Sequence, residues 1–389
     1  MAMAHAKCKG KMKQAISIIL LLVIFCSVGS VIWQHSESYT SQNFWQTLPQ
    51  LKIAYDNSQY VTKHSKAWIP DETLNAYAGG AYVQGMQPQF IDPSAPPLGR
   101  YLIGLSAIIF HNPNEFNLLS AIMSLVGIFL VGKQILQKTY LALMPVAAFS
   151  LEPIFKNQLI YTPLLDIMQL FFLIFAFYFF NKSYNAKKYI IYYILTSICV
   201  GCFIATKFFI TGLTIIGACF LVLLFHKQIK KTIFFLLTTI ISVVILLLSY
   251  IRALFSTEYT VKSFLGIQKY VFLYHKSQLI LPFSVWPLLF LNRWYVWFGN
   301  KPVISDNQWA FTWPIIAGLS FLTIIFYVFR KIKRNKNVEA LMIWIVLYIL
   351  FFSFGEIASR YFVIYIPILY IVSLFGIVSV VKHFYENRT

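Results

Sequence analysis

Charge is what this chain has least of. Only 12% of its 389 residues are Asp, Glu, Lys or Arg, and only 13 are acidic, where soluble domains carry roughly a quarter of their residues charged. With 59% apolar residues and a mean hydropathy of +0.68, this excludes a soluble globular protein and leaves a polytopic membrane protein. Cysteine is scarce too. Cys8 lies near the N-terminus and Cys26, Cys199, Cys202 and Cys219 lie in apolar runs, which argues against an extracellular disulfide framework. Cys199 and Cys202 form a C-x-x-C inside a membrane segment and read as small apolar packing rather than metal or redox chemistry. No His/Cys/Asp cluster has zinc spacing, no glycine-rich phosphate loop is present, and no serine-hydrolase elbow appears. Nucleotide chemistry in the cytoplasm therefore has no visible site. No internal repeat emerges.

Long apolar runs are abundant. At about 1.5 Å per residue against a hydrocarbon core of about 30 Å, spans are expected at 14–34, 116–136, 139–155, 163–181, 188–205, 207–226, 232–251, 309–329, 338–354 and 361–381. The stretch from Lys188 to His226 is too long for one crossing and is expected to fold back near Thr206-Lys207. The first run reads as a retained helix rather than a cleaved signal. With the N-terminus inside, the inner loops, among them Lys182 to Lys188 and Arg330 to Lys336, hold 19 of the 32 Lys and Arg residues against two acids, as the positive-inside rule requires. That balance also accounts for the net charge of +19: the basic residues sit at the ends of apolar runs, not on a nucleic-acid-binding face.

The assignment has one condition. Leu98 to Phe110 must not cross, because another span there would invert every later loop. Bracketed by Pro96-Pro97 and Asn112-Pro113, it is expected to lie along the outer interface, with Leu98, Leu102, Leu105 and Ile109 turned to lipid. Leu281 to Phe298, which holds three Trp residues, is expected to be interfacial as well. The chain is thus expected to be one membrane-embedded, all-α domain over 1–389, with about ten transmembrane helices. Two external loops, 35–115 and 252–308, would carry the rest, the first bearing juxtamembrane helices.

Charged groups at membrane depth are costly and mark function. Here they are Asp71, Glu72, Asp92, Arg100, Glu152, Asp166, Lys207, Arg252, Arg293, Glu356 and Arg360, all at one end of the expected bundle. That is the pattern of a site opening outward, whereas a transporter more often holds such groups near the midplane. Asp71 and Glu72 follow Pro70, so they either start a helix or act as a general base with a tuning neighbour. Arg100, Lys207 and Arg360 either snorkel to headgroups or meet a lipid phosphate whose charge grows as it leaves. Asp166 is a helix cap or a polar site residue.

Taken in order, Asp71-Glu72 with Tyr77 and Gly79-Gly80, then Pro96-Pro97-Leu98-Gly99-Arg100-Tyr101-Leu102, Leu164-Leu165-Asp166, Thr206-Lys207, and Arg360-Tyr361 with Pro367, resemble the GT-C superfamily of membrane glycosyltransferases. The similarity is to the branch of dolichyl-phosphate-mannose protein mannosyltransferases and aminoarabinose transferases. The resemblance implies a GT-C-like fold and an inverting, hexosyl- or mannosyltransferase-like enzyme that draws its sugar from a polyprenyl-phosphate carrier. Asp71 would be the base, with Glu72 beside it, and Arg100, Lys207 and Arg360 would hold the donor phosphate. Asp166, Tyr161, Tyr77 and Arg293 are the expected substrate-binding residues. No protein metal ligand is assigned, while a divalent cation stays open as a cofactor. The acceptor is a protein hydroxyl or a lipid or cell-envelope glycan, and a flippase for a lipid-linked sugar is the competing reading. Partners are the lipid-linked sugar, its acceptor and membrane lipids, with no nucleic acid. The expected location is a prokaryotic inner membrane, with the site facing outside and both termini cytoplasmic. Two departures stand out: Ala95 replaces a His common before the double Pro, and Tyr161 replaces an Arg common before Leu-Leu-Asp.

Overall fold

The computed structural model describes residues 2–62, 65–184, 186–207, 210–254, 261–277, 281–296, 302–329, 332 and 334–386. Each of the ten expected apolar stretches contains a helix among its described residues. Among the described residues, seven helical stretches are long and apolar enough to cross a membrane: Lys11–Gln34, Glu115–Leu136, Leu165–Ser183, Tyr189–Thr206, Ile229–Ser249, Lys336–Ser353 and Ile366–His383. Thr139–Leu151, Ile210–Phe225 and Thr312–Val328 are shorter apolar helices. Helix is the natural outcome for such sequences, since lipid offers the backbone no hydrogen-bond partner. The expected span 139–155 ends early, at Leu151. Pro153 forces Glu152 into an extended conformation (φ −62°, ψ 135°), and a second helix, Pro153–Ile160, starts in a new direction.

The Leu165–Ser183 helix is central, packing along Tyr189–Thr206 on one side and Glu115–Leu136 on another. Fully buried aromatics fill the interior, among them Trp344 against Phe177, Tyr348 and Tyr365. Glu152, 3% exposed, is a structural hub. Its carboxylate accepts hydrogen bonds from Thr312 (2.5 Å), the Trp313 indole (3.1 Å) and the Tyr370 hydroxyl, tying three helices together.

The two ends of the bundle differ. At one end, Asn335 Nδ2 donates to the Ile135 carbonyl, Asn337 Nδ2 to that of Gln134, and Asn181 Nδ2 to that of Asn337. His226 meets Glu339 there at 2.5 Å. At the other end lie Asp71, Asp166, Lys207 and Arg360. An even partition of this kind follows only if Leu98–Phe110 does not cross. In the basic stretch Arg330 to Lys336, residues 330, 331 and 333 lie outside the described residues, as does residue 185 of the other inner loop and residues 297 and 298 of the segment expected at the interface.

The first long loop folds into helices Phe44–Asp56, Asp71–Val83 and Leu98–Phe110 over a small core of its own, built from Phe44, Leu48, Tyr55, Leu74, Tyr77 and Tyr82. At 13 residues and about 1.5 Å each, Leu98–Phe110 spans only about two-thirds of a bilayer core. Ile103, Gly104, Ser106 and Ala107 are buried, while Leu105, Ile108, Ile109 and Phe110 are exposed; of the expected lipid face, Leu105 and Ile109 are exposed, whereas Leu98 and Leu102 are half-buried, Leu102 against the cluster of Ile103, Leu165 and Met168. It crosses Asp71–Val83 at Gly79 and Gly104, where a Cβ on Gly104 would overlap the Gly79 carbonyl. The second loop supplies helices Val261–Ser277 and Val285–Leu291 and a short hairpin pairing Trp294-Tyr295 with Val303-Ile304.

Candidate active site

Asp71 opens its helix immediately after Pro70, whose extended backbone (ψ 167°) cannot continue a helix backwards. Its carboxylate does not cap that helix. One oxygen accepts from the Tyr60 hydroxyl at 3.0 Å and the other from Arg360 Nη1. Arg360 lies in the 3₁₀ turn Ser359–Val363. Asp166 is the second residue of Leu165–Ser183, and Lys207 follows the last residue of Tyr189–Thr206, at the expected fold-back. They pair at 2.5 Å, both largely buried. Gly99 allows this convergence: a side chain there would press on Leu165 Cδ2 (2.7 Å) and Thr206 Cγ2 (2.8 Å), so glycine lets the Leu98 helix reach the ends of the other two. Lys207 Nζ also stands 4.6 Å above the Tyr361 ring, and the Arg360 guanidinium 5.6 Å from it. Tyr361 in turn donates to Glu356 at 2.9 Å.

Three cavities meet at these residues. An apolar one of about 330 Å³ is lined by Tyr348, Phe351, Phe352 and Phe272, and ends at Asp166, Lys207, Glu356 and Tyr361. A polar one of about 690 Å³, between the loops, is lined by Tyr60, Trp68, Asp71, Glu72, Gln158, Tyr161 and Arg360. Between them is a junction of about 110 Å³ that shares Asp166, Lys207, Glu356 and Tyr361 with the first cavity and Tyr60, Asp71 and Arg360 with the second. The two ion pairs therefore form the partition between an apolar compartment and a polar one.

Charge balance decides protonation on the loop side. Burial alone would raise the Asp71 carboxyl, but the neighbouring charges of Arg360 and Lys207, with the hydrogen bonds from Arg360 and Tyr60, win and hold it at about 2. Burial raises Glu72 above the ordinary carboxylate value, and the charge of Asp71 adds to the rise. Burial also opposes ionisation of Asp92, yet Arg100 and Ser94 hold it low.

The other expected site residues are placed differently. Arg100 is 2% exposed and already engaged: Nη2 meets Asp92 Oδ2 at 2.5 Å, Nη1 the Asp92 carbonyl at 2.9 Å and Tyr82 at 3.4 Å, and Nε Asn75 at 3.2 Å. It borders the junction, but as a neutralised guanidinium. Tyr77, 4% exposed, packs against Tyr55 in the loop core (centroids 4.8 Å apart) and lines none of the three cavities. Arg293 is exposed and lines none of them either. Tyr161, half exposed, does border the polar cavity. Tyr60, Gln158 and Ser359 were not singled out from sequence. Tyr60 has no flag in its polar loop, whereas an amide such as Gln158 among apolar neighbours is a weak one.

The described residues contain no group of three His, Cys, Asp or Glu side chains able to cage a metal. Of the carboxylates that converge there, Asp71 faces Arg360, Asp92 faces Arg100 and Asp166 faces Lys207, while Glu356 accepts from the Tyr361 hydroxyl. This donor set does not fit a divalent ion, and no step below runs through one.

Residues 94–250 match the family model for dolichyl-phosphate-mannose-protein mannosyltransferases. No curated protein matches the sequence. Among solved structures, the chain is similar to ArnT from Cupriavidus metallidurans bound to undecaprenyl phosphate, at 14% identity and a TM-score of 0.54, over 87% of this chain and 61% of that one. It is also similar to the archaeal oligosaccharyltransferase AglB from Archaeoglobus fulgidus in complex with an inhibitory peptide and a dolichol-phosphate (12% identity, TM-score 0.53, 89% of this chain and 51% of that one). An Archaeoglobus fulgidus oligosaccharyltransferase in the apo form gives 12% identity and a TM-score of 0.54 over 97% of this chain and 51% of that one. The chain thus spans roughly half to three-fifths of the length of these structures. The chain shares its fold with these structures, in an integral, multi-pass membrane protein.

Proposed function

We propose that the protein is an inverting glycosyltransferase that moves a sugar from a polyprenyl-phosphate carrier to an acceptor hydroxyl. The observation that carries this reading is the junction: an apolar cavity ending in Lys207 and a polar cavity ending in Asp71 meet across Arg360. A lipid donor needs an apolar compartment for its chain and cations where its phosphate emerges, and a hydroxyl acceptor needs a base on the opposite, wet side. The match of residues 94–250 to a mannosyltransferase family, and the undecaprenyl phosphate and dolichol-phosphate bound by two structural relatives, support that donor class.

In this reading the donor's prenyl tail lies along Phe351 and Phe352, and its phosphate meets Lys207 and Arg360. Arg360 Nε is buried without a hydrogen-bond partner among the described residues, so the guanidinium has a donor to spare. The acceptor oxygen forms a bond to the anomeric carbon as the carbon–oxygen bond to phosphate breaks. The leaving phosphate keeps that electron pair, its growing charge met by the two cations, and Asp71 takes the acceptor's proton. A phosphate bound at Arg360 competes with Asp71 for the guanidinium and so raises the basicity of the carboxylate when the donor is present. Arg100, neutralised by Asp92, has a positioning part: it fixes the Leu98 helix and Asn75, whose amide donates to the Pro163 carbonyl at 3.3 Å and so ties the loop to the start of the Leu165 helix. By charge distribution, the site faces away from the cytoplasm.

The test is acceptor-dependent release of polyprenyl phosphate from a panel of labelled polyprenyl-phosphate sugars, using the chain reconstituted in vesicles with a membrane-glycan extract. Release that Asp71→Asn abolishes is expected. Transbilayer movement of intact donor without release would instead mark a flippase and overturn the reading.

A further inference from the structure

Buried polar atoms with no protein partner are rare in folded chains, and several of those among the described residues line one cavity wall. Gln158 is 1% exposed, and neither its amide oxygen nor its amide nitrogen has a hydrogen-bond partner among the described residues. The same holds for the Ser359 hydroxyl, in a residue 1% exposed, and for Gln308 Oε1. All three line the polar cavity of about 690 Å³. Left unpaired, each such group costs stability, so the wall is built for something that supplies both donors and acceptors.

The charge of the same wall limits what that is. Among the described residues lining the cavity, the acids are Asp71, Glu72 and Asp306 and the one cation is Arg360, which is engaged by Asp71. Against these described residues a phosphorylated or carboxylated acceptor would face net negative charge. An amide that both donates and accepts is the complement of a hydroxyl, which does the same. Flat apolar surface is also at hand, with Trp68 and Tyr161 exposed at the rim (64% and 50%), as the C–H face of a sugar ring needs.

We infer that the acceptor bound in this cavity is an uncharged carbohydrate, with Gln158 as the amide that reads its hydroxyls and Ser359 and Gln308 beside it. The inference rests on the transferase reading of the junction, since it names the substrate class of that site.

The full chain in lipid nanodiscs is titrated with neutral di- and trisaccharides of mannose, galactose and glucose, with a Ser/Thr-rich peptide, and with a phosphorylated glucosamine disaccharide lipid. Undecaprenyl phosphate binding is measured separately. At least one neutral saccharide is expected to bind more tightly than the peptide or the phosphorylated lipid. Gln158→Leu, close in size but without the amide, is expected to weaken that binding about tenfold, the loss of roughly one good hydrogen bond. Because it removes an unpaired buried amide, it should leave the melting temperature of the empty protein unchanged or raised. Ser359→Ala reads the same way if the first variant fails to fold. Preference for the peptide or the phosphorylated lipid, affinity untouched in the variants, or a lowered melting temperature with normal affinity would each overturn the inference. Failure of saccharides with undecaprenyl phosphate still bound would overturn the acceptor assignment alone. Failure of undecaprenyl phosphate itself would overturn the transferase reading beneath it.

Discussion

Asp71 is the anionic half of an ion pair with Arg360 and also the group assigned the acceptor's proton. Replacing it by Asn keeps size and most hydrogen bonding but removes the basic lone pair, so turnover should fall by roughly 10²–10⁴ while undecaprenyl phosphate binding persists. Near wild-type turnover in the purified variant would transfer the base role to Glu72. Because its pKa is depressed to about 2, the carboxylate stabilises the fold above its ordinary, unfolded-state value of 3.8 and loses that contribution as pH falls through that value towards 2. Melting temperature measured against pH should therefore drop over that interval more steeply in the wild type than in Asp71→Asn. Lys207 calls for a gentler change, since truncation would strand the buried Asp166. Lys207→Gln keeps a hydrogen-bond donor for Asp166 and removes the charge, and should weaken undecaprenyl phosphate binding about tenfold or more. Unaltered binding would return Lys207 to a purely structural pairing with Asp166. Rare charges in an apolar chain made Asp71, Asp166, Lys207 and Arg360 legible from sequence. The pairing of Arg100 was not legible, because nothing local says that Asp92, eight residues earlier, folds back to meet it. The packing of Tyr77 in the loop core was not legible either, because a tyrosine near a motif looks the same whether it faces ligand or core.

Among the elements, the Leu98–Phe110 helix matters most to the site, and its position is set by glycine. The crossing at Gly79 and Gly104 puts backbone against backbone, where no rotamer change can make room. Gly104→Ala should force the helices apart and cost about 1–3 kcal/mol, read as a lower melting temperature, with turnover falling because Asp71 heads one helix and Arg100 the other. A variant as stable and active as wild type would show the crossing to be looser than the geometry requires. The helix ends at Leu98 and Phe110 were legible because prolines and asparagines punctuate both sides. The break at Glu152 was not, since a single Pro within an apolar run is compatible with a kinked span as readily as with a new helix.

At the scale of the whole molecule, ten helical stretches bring Asp71, Asp166, Lys207 and Arg360 to one end and Glu339 and His226 to the other, the arrangement that counting lysines and arginines implies. Introduced cysteines at Lys187 and Lys66 should label from opposite sides of sealed vesicles, and labelling from one side would defeat that count. The spans were readable because length and hydropathy suffice to define them; the meeting of three cavities was not, because it depends on which helix ends touch. The Asp71–Arg360 pair joins positions 289 residues apart, and this bears on biosynthesis. At about 5–20 residues per second, the first loop waits on the order of 15–60 s after its own synthesis before the arginine that completes it leaves the ribosome. On the proposed mechanism, a nascent chain stalled before Arg360 therefore lacks half of the pair at Asp71 and should show no transfer activity.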